Sequence, residues 1–567
     1  MSNTLTKLFY IICFVSILSS CSLVGINTKR DAPKHAEKYP VFTEKDSLKG
    51  YLNEFRSNFD VTYYNLDIEF DIPNKSIKGK VDIHFKVLIN LTKIQLDLYE
   101  DMTINKVMCD GEEMPFNRKY DAFFVKFRTQ ITAGEHKIVT VFYEGQPQKA
   151  KKAPWDGGFV WKKDKADHPW VGVACELDGA SLWWPLKDHL TDEPDSAQMN
   201  FTIPQGLFCV SNGRLIERKL RQNDMETFTW KVKNPINHYN ISFYIGNYRT
   251  FTIPYKKDSV TYDLTYYVLP ENVNRAKYQF QQTNDILQFY EKTFGDYQWF
   301  EDGYKLIESP YAGMEHQSAI AYGSGYKDNY NGFDYIILHE TAHEWWGNSV
   351  SVGDFADIWL HEGFATYSEA LYVEATKGYS AYLNYLYSYS LYIKNKKPMV
   401  GPLNVKYWTY KDGDPYMKGA LTLHSLRSSI NNDQMFFDII KTFHTENQRK
   451  IVSSQDFIDL VNRKTEKDYT WFFKQFLYNR KPAKLIYSLV YSSEKKTIIL
   501  YYKWKNVDTD FIMPITVYIG GKLTRIYPTA KSQEMILPKN TQEFKVDKLR
   551  FYATIEELKF EEFSGGS

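Results

Sequence analysis

The sequence predicts a multidomain chain of mixed α and β structure: an N-terminal antiparallel β domain, a mainly helical middle domain and a small C-terminal β domain. Three observations predict it. At 567 residues the chain exceeds what one hydrophobic core serves. Its apolar residues alternate in strand fashion from about residue 50 to 265, then recur at intervals of three and four, then alternate again from Leu485. Hydrophobic residues make up 43% and charged residues 25%, a balance that excludes wholesale disorder. Lys+Arg numbers 70 against Asp+Glu 69, so no basic excess points to nucleic acid, and none is expected as a partner.

Residues 1–20 carry Lys7 and then an apolar run from Leu8 to Leu18. That run is too short to cross a bilayer as a helix and suits the core of a signal peptide. It ends in Leu18-Ser19-Ser20-Cys21, which resembles the lipobox of bacterial lipoproteins. The resemblance implies cleavage before Cys21, a lipid on its thiol, and a place in the cell envelope, at the outer membrane or facing the periplasm. Residues 21–48 read as a tether, polar and without periodicity. With Cys13 in the leader and Cys21 lipidated, Cys109, Cys175 and Cys209 remain, which allows one bridge at most and no disulfide scaffold.

The N-terminal β domain, residues 49–265, is read from runs such as VTYYNLDIEFDIP (61–73), HKIVTVFYEG (136–145) and ISFYIGNYRTF (241–251). In the middle domain, 266–483, the residues Ala276, Phe280, Thr283, Leu287, Tyr290 and Phe294 mark one face of a long amphipathic helix. Helical periodicity returns in 334–348, 357–376, 416–430, 436–447 and 453–465, with a short β portion around 304–323. The C-terminal domain, 484–567, alternates again, and Gly520-Gly521 reads as a hairpin turn. Aromatic residues reach 17% of the chain, which suits either a glycan-binding surface or aromatic-rich cores.

The segment DYIILHETAHEWWGNSV contains His339-Glu340-x-x-His343. Four residues turn a helix through about 400°, so both imidazoles face one way and can hold a single zinc ion. Glu340 lies about 100° round, within reach of a water but not of the metal. A third protein ligand leaves one position open, and Glu362, at the start of the next helical pattern, is the candidate. Glu369 lies two turns further along the same face and could orient a zinc histidine.

Further stretches carry a resemblance. YAGMEHQ (311–317) is close to a G-A-M-E-N motif, PYMKG (415–419) matches Tyr-x-Lys-Gly, and WLHEGFA resembles W-L-N-E-G-F-A. CELDGASLWWPLKD (175–188) resembles a segment that contributes an acid or amide to the substrate amine. With the zinc signature, these make the chain resemble the aminopeptidase N family of zinc metallopeptidases, the gluzincin aminopeptidases that include the leukotriene hydrolases. The resemblance implies a saddle-like β domain, a thermolysin-like catalytic domain and a β-sandwich. It implies one zinc ion on His339, His343 and Glu362. Glu340 then acts as base and then acid, and Tyr416 donates to the developing oxyanion. Glu315 and Glu176 hold the α-ammonium of a peptide with a free N-terminus, and Gly313 lets the substrate backbone approach. His316, His361 and Ala312-Gly313 depart from the family pattern, and both histidines read as packing or orienting residues. Two other readings stay open at this point: an epoxide hydrolase on the same metal site, and a non-catalytic surface lipoprotein that binds through its aromatics.

Overall fold

Residues 39–407, 413–539 and 541–564 are described in the computed structural model of this chain. The leader, Cys21 and most of the tether lie outside them. The tether reading extends to residue 48, but Glu44–Gly50 is helical. The sequence reason is a reciprocal cap: Asp46 accepts from the backbone nitrogen and hydroxyl of Thr43, at 2.7 Å each. Lys45 then ties this helix to Glu100 at 2.7 Å, and Tyr39 and Phe42 set their rings edge-on to Tyr407.

Strand Phe59–Asp71 alternates buried and exposed residues, and its inward row (Leu66, Ile68, Phe70) enters the core. It pairs antiparallel with Ser76–Val87 and parallel with Ser196–Pro204. These are the centre of an eight-stranded sheet. A four-stranded sheet (Phe208–Ser211, Phe243–Gly246, Pro169–Ala174, Gly158–Lys163) and a three-stranded sheet complete the N-terminal β region. Cys109, Cys175 and Cys209 are buried free thiols.

The hairpin Arg249–Lys257/Val260–Val268 departs from the expected boundary at residue 265. Val260–Val268 pairs in parallel with Lys305–Glu308, which pairs in parallel with Ile320–Tyr322, so the hairpin belongs to the sheet of the middle domain. Gly313–Met314 forms the edge of that five-stranded sheet. The long helix expected across 276–294 is two, Val273–Gln279 and Gln282–Phe294, although all six residues of the expected face are buried. The zinc-signature segment forms Tyr335–Ala342, capped by Asp334, whose carboxylate accepts from Ile336 N at 3.1 Å. Helices Trp359–Lys377, Tyr379–Ser390 and Asp414–Ile430 follow.

Trp359–Lys377 and Asp414–Ile430 cross backbone against backbone. A Cβ on Gly363 would sit 2.8 Å from Gly419 Cα, and one on Gly419 2.7 Å from Gly363 Cα. No residue larger than glycine fits on either side. Beyond these helices, two sheets of four and three strands form the C-terminal domain. Gly520 and Gly521, with φ of 56° and 78°, make the two-residue turn between Ile515–Ile519 and Lys522–Ile526. No helix among the described residues is long and apolar enough to cross a membrane.

Candidate active site

Two helices supply the metal-binding set. His339 and His343 sit four residues apart on one helical face, and their Nε2 atoms lie 3.2 Å from each other. Glu362, in the first turn of Trp359–Lys377, brings Oε2 to 3.6 Å from His339 Nε2 and 3.5 Å from His343 Nε2. All three side chains are buried. Each histidine is turned by its other nitrogen: His339 Nδ1 lies 2.7 Å from Glu369 Oε1, and His343 Nδ1 lies 2.9 Å from the Trp346 carbonyl. Both Nδ1 atoms therefore carry the proton, and both Nε2 lone pairs face the same point.

This donor set fits zinc. Glu362 Oε2 is buried with no hydrogen-bond partner, so an oxygen ligand stands ready beside two imidazole nitrogens. The electrostatics agree. Burial works against a charged Glu362, but the two histidines beside it hold its carboxyl well below the usual range. Burial likewise opposes a charged His343, yet Glu315 and Glu362 raise it to about 9. A site that draws protons onto its own ligands is one that a dication would occupy in their place.

Glu340 is buried beside the triad, and burial raises its carboxyl to about 7 while the two imidazoles pull it down. Glu315, Glu340 and His343 bring ligand atoms within 4.8 Å of one another. Glu315 is buried and accepts from Tyr239 OH at 3.3 Å. Asn348 donates to the Glu315 carbonyl at 3.0 Å, which fixes the backbone there. Glu176 reaches the same place from the N-terminal β region. Its carboxyl is pushed well up by burial and then by the charges of Glu315, Glu362 and Glu340, and its Oε1 is buried without a partner. Tyr416, in the first turn of Asp414–Ile430, stacks near-parallel to His339 with ring centroids 6.1 Å apart. Burial, then the neighbouring Glu362 and Glu176, hold its phenol protonated well above the usual range. The start of its helix is pinned by Lys394 N and Asn395 N donating to Asp414 at 2.8 and 2.7 Å.

The structure therefore brings together His339, His343, Glu362, Glu340, Glu315, Glu176 and Tyr416. At Gly313 the crowding comes from Glu340: a Cβ there would lie 2.4 Å from Glu340 Oε1. His316 and His361 stand apart from this chemistry. His316 Nδ1 meets Tyr244 OH at 2.5 Å, His361 Nε2 accepts from Val352 N at 3.0 Å, and burial lowers both rings to about 3. Sequence reasoning missed Tyr239, Tyr385 and Tyr389. The last two both donate to Glu369 Oε2 at 2.6 Å. Their spacing of four on one helix was the available signal, but it does not say which face turns inward.

Known proteins resemble this arrangement. The Peptidase M1 N-terminal domain matches residues 61–239, and the Peptidase family M1 domain matches residues 278–476. Leucine aminopeptidase 2 of Lodderomyces elongisporus is 24% identical over 60% of this chain and 49% of its own length. Leukotriene A-4 hydrolase of Xenopus laevis is 21% identical over 71% of this chain and 70% of its own. The chain thus spans about half the length of the first of these relatives. Among solved structures, the M1 zinc metallopeptidase of Deinococcus radiodurans superposes with a TM-score of 0.63 at 20% identity, covering 75% of this chain and 95% of its own. Legionella pneumophila aminopeptidase A gives 0.72 at 16% identity, covering 88% and 60%. At these identities the structural likeness concerns the fold.

Proposed function

Because the chain belongs to peptidase family M1, we propose that it is a zinc-dependent aminopeptidase, releasing the first residue of peptides with a free N-terminus, tethered to a membrane through Cys21. The observation that carries the activity is the Glu176–Glu315 pair. Two carboxylates are buried beside a metal-binding triad, both raised by burial first, and among the described residues neither has a Lys or Arg partner. A substrate α-ammonium supplies the missing positive charge. Its position then sets which bond reaches the reacting centre, so only the first residue is removed.

His339, His343 and Glu362 would hold the zinc. Bound zinc supplies a Lewis acid that polarises the scissile carbonyl and acidifies water. Glu340 takes a proton from the attacking water on its carboxylate and returns it to the leaving amine. Tyr416 donates its phenol proton as a hydrogen bond to the oxygen that gains charge. The strand Gly313–Met314, lying at a sheet edge, offers backbone groups to an extended substrate.

Paired peptides, free and N-acetylated, test this reading. The free peptide is expected to be cleaved and the acetylated one spared; equal turnover of both overturns the aminopeptidase reading. Glu315→Gln should raise KM for free peptides far more than it lowers kcat, because it removes charge from the ammonium site. The tether has its own test. Cys21→Ser should move the protein from the membrane pellet to the soluble fraction and abolish fatty-acid labelling. A wild-type chain that fractionates as soluble and unlabelled removes the proposal.

A further inference from the structure

The helix Tyr379–Ser390 has five tyrosines in twelve residues, and they divide by face. Tyr387 is 40% exposed, while Tyr382 and Tyr385 are buried. Tyr382 serves packing: its hydroxyl meets His424 Nδ1 at 2.7 Å and Tyr367 OH at 2.9 Å. Tyr385 and Tyr389 do something different. Both hydroxyls donate to Oε2 of Glu369 at 2.6 Å, and they lie 2.8 Å from each other. The opposite oxygen of the same carboxylate, Oε1, lies 2.7 Å from His339 Nδ1.

Glu369 is completely buried, and its one ion-pair partner among the described residues is His339. A buried carboxylate needs hydrogen bonds on both oxygens to be tolerated. Here the phenols satisfy one oxygen and leave the other to the histidine. They also fix the carboxylate plane, since two donors on Oε2 oppose rotation about the last side-chain bond. The carboxylate plane in turn fixes which nitrogen of His339 carries the proton and where the ring points.

We propose that Tyr385 and Tyr389 are positioning residues for the metal site: acting through Glu369, they hold His339 in the tautomer and orientation that present Nε2 to zinc. The inference rests on the zinc reading above. It also assigns work to part of the abundant tyrosine that composition left unexplained.

The arrangement has a signature that simple packing lacks. Either phenol alone still satisfies Oε2, so each single Tyr→Phe variant retains most of the zinc affinity. The double variant Tyr385→Phe/Tyr389→Phe strips both donors and is expected to weaken zinc binding about 10- to 100-fold. Zinc affinity is measured by competition with a chromophoric chelator, and the melting temperature of the metal-free protein is recorded alongside. That temperature should fall, because Glu369 Oε2 loses both donors, and the extra stabilisation produced by added zinc should shrink as well. Glu369→Gln gives a second route: it should lower affinity by itself, and adding the two Phe substitutions to it should lower affinity no further. Wild-type affinity in the double variant overturns the proposal. So does an affinity loss that deepens when the two Phe substitutions are added to Glu369→Gln, because that is the mark of lost packing. A wild-type protein that binds no zinc at all defeats the underlying metal reading instead, and the inference goes with it.

Discussion

Replacing Glu340 with Gln should lower kcat by a factor on the order of 100 to 10,000 with zinc content unchanged. Glutamine keeps the shape of the side chain and can still hydrogen-bond, but it cannot accept a proton from water or carry one to the leaving amine. Its position argues against a ligand role, because Oε2 of Glu362 and the two Nε2 atoms already converge without it. The same residue sets the acid limb of the pH profile. Burial raises the Glu340 carboxyl to about 7, and the imidazoles lower it. A dication takes the place of those imidazole charges, so the limb belongs near pH 7. The sign follows from the role: the carboxylate is the active form, so rate rises with pH through this value and levels off above it. Profiles of kcat/KM for the two proteins check this, and an acid limb that persists unshifted in the Gln variant would assign it to another group.

Tyr416→Phe carries the second large effect, a loss on the order of 100- to 1000-fold in kcat with KM little changed. The phenol is placed by the first turn of its helix, which Asp414 anchors through two backbone nitrogens. Since burial and the adjacent carboxylates hold its proton well above the usual phenol range, Tyr416 remains a donor at any working pH and contributes no alkaline limb. A Phe variant that loses KM and keeps kcat would make this side chain a substrate contact with no part in stabilising the transition state.

How much of this was legible in the sequence depended on the range of the interactions. His339, Glu340 and His343 could be read because their geometry is set within one helical turn. Glu362 could be read because it begins the next helix at a spacing that suits a third ligand. Glu176 was harder, since it arrives on a loop from another domain and only the fold brings it to Glu315. The hairpin 249–268 was misplaced because alternation announces strands and not their partners; its parallel neighbour, Lys305–Glu308, is some forty residues away in the chain. Tyr385 and Tyr389 were hidden among 44 tyrosines, and only the packing of their helix decides which of them turn inward.

The Gly363–Gly419 contact has a consequence for how this site holds its shape. Glu362 precedes one glycine, and Tyr416 stands one turn before the other, so the ligand and the donor ride on the same crossing. Where side chains separate two helices, rotamers can be redistributed by warming and the gap breathes. Two backbones in contact have no rotamers to redistribute. The span between Glu362 and Tyr416 is therefore set by backbone contact, and any side chain added at Gly363 or Gly419 has to move the ligand and the donor together.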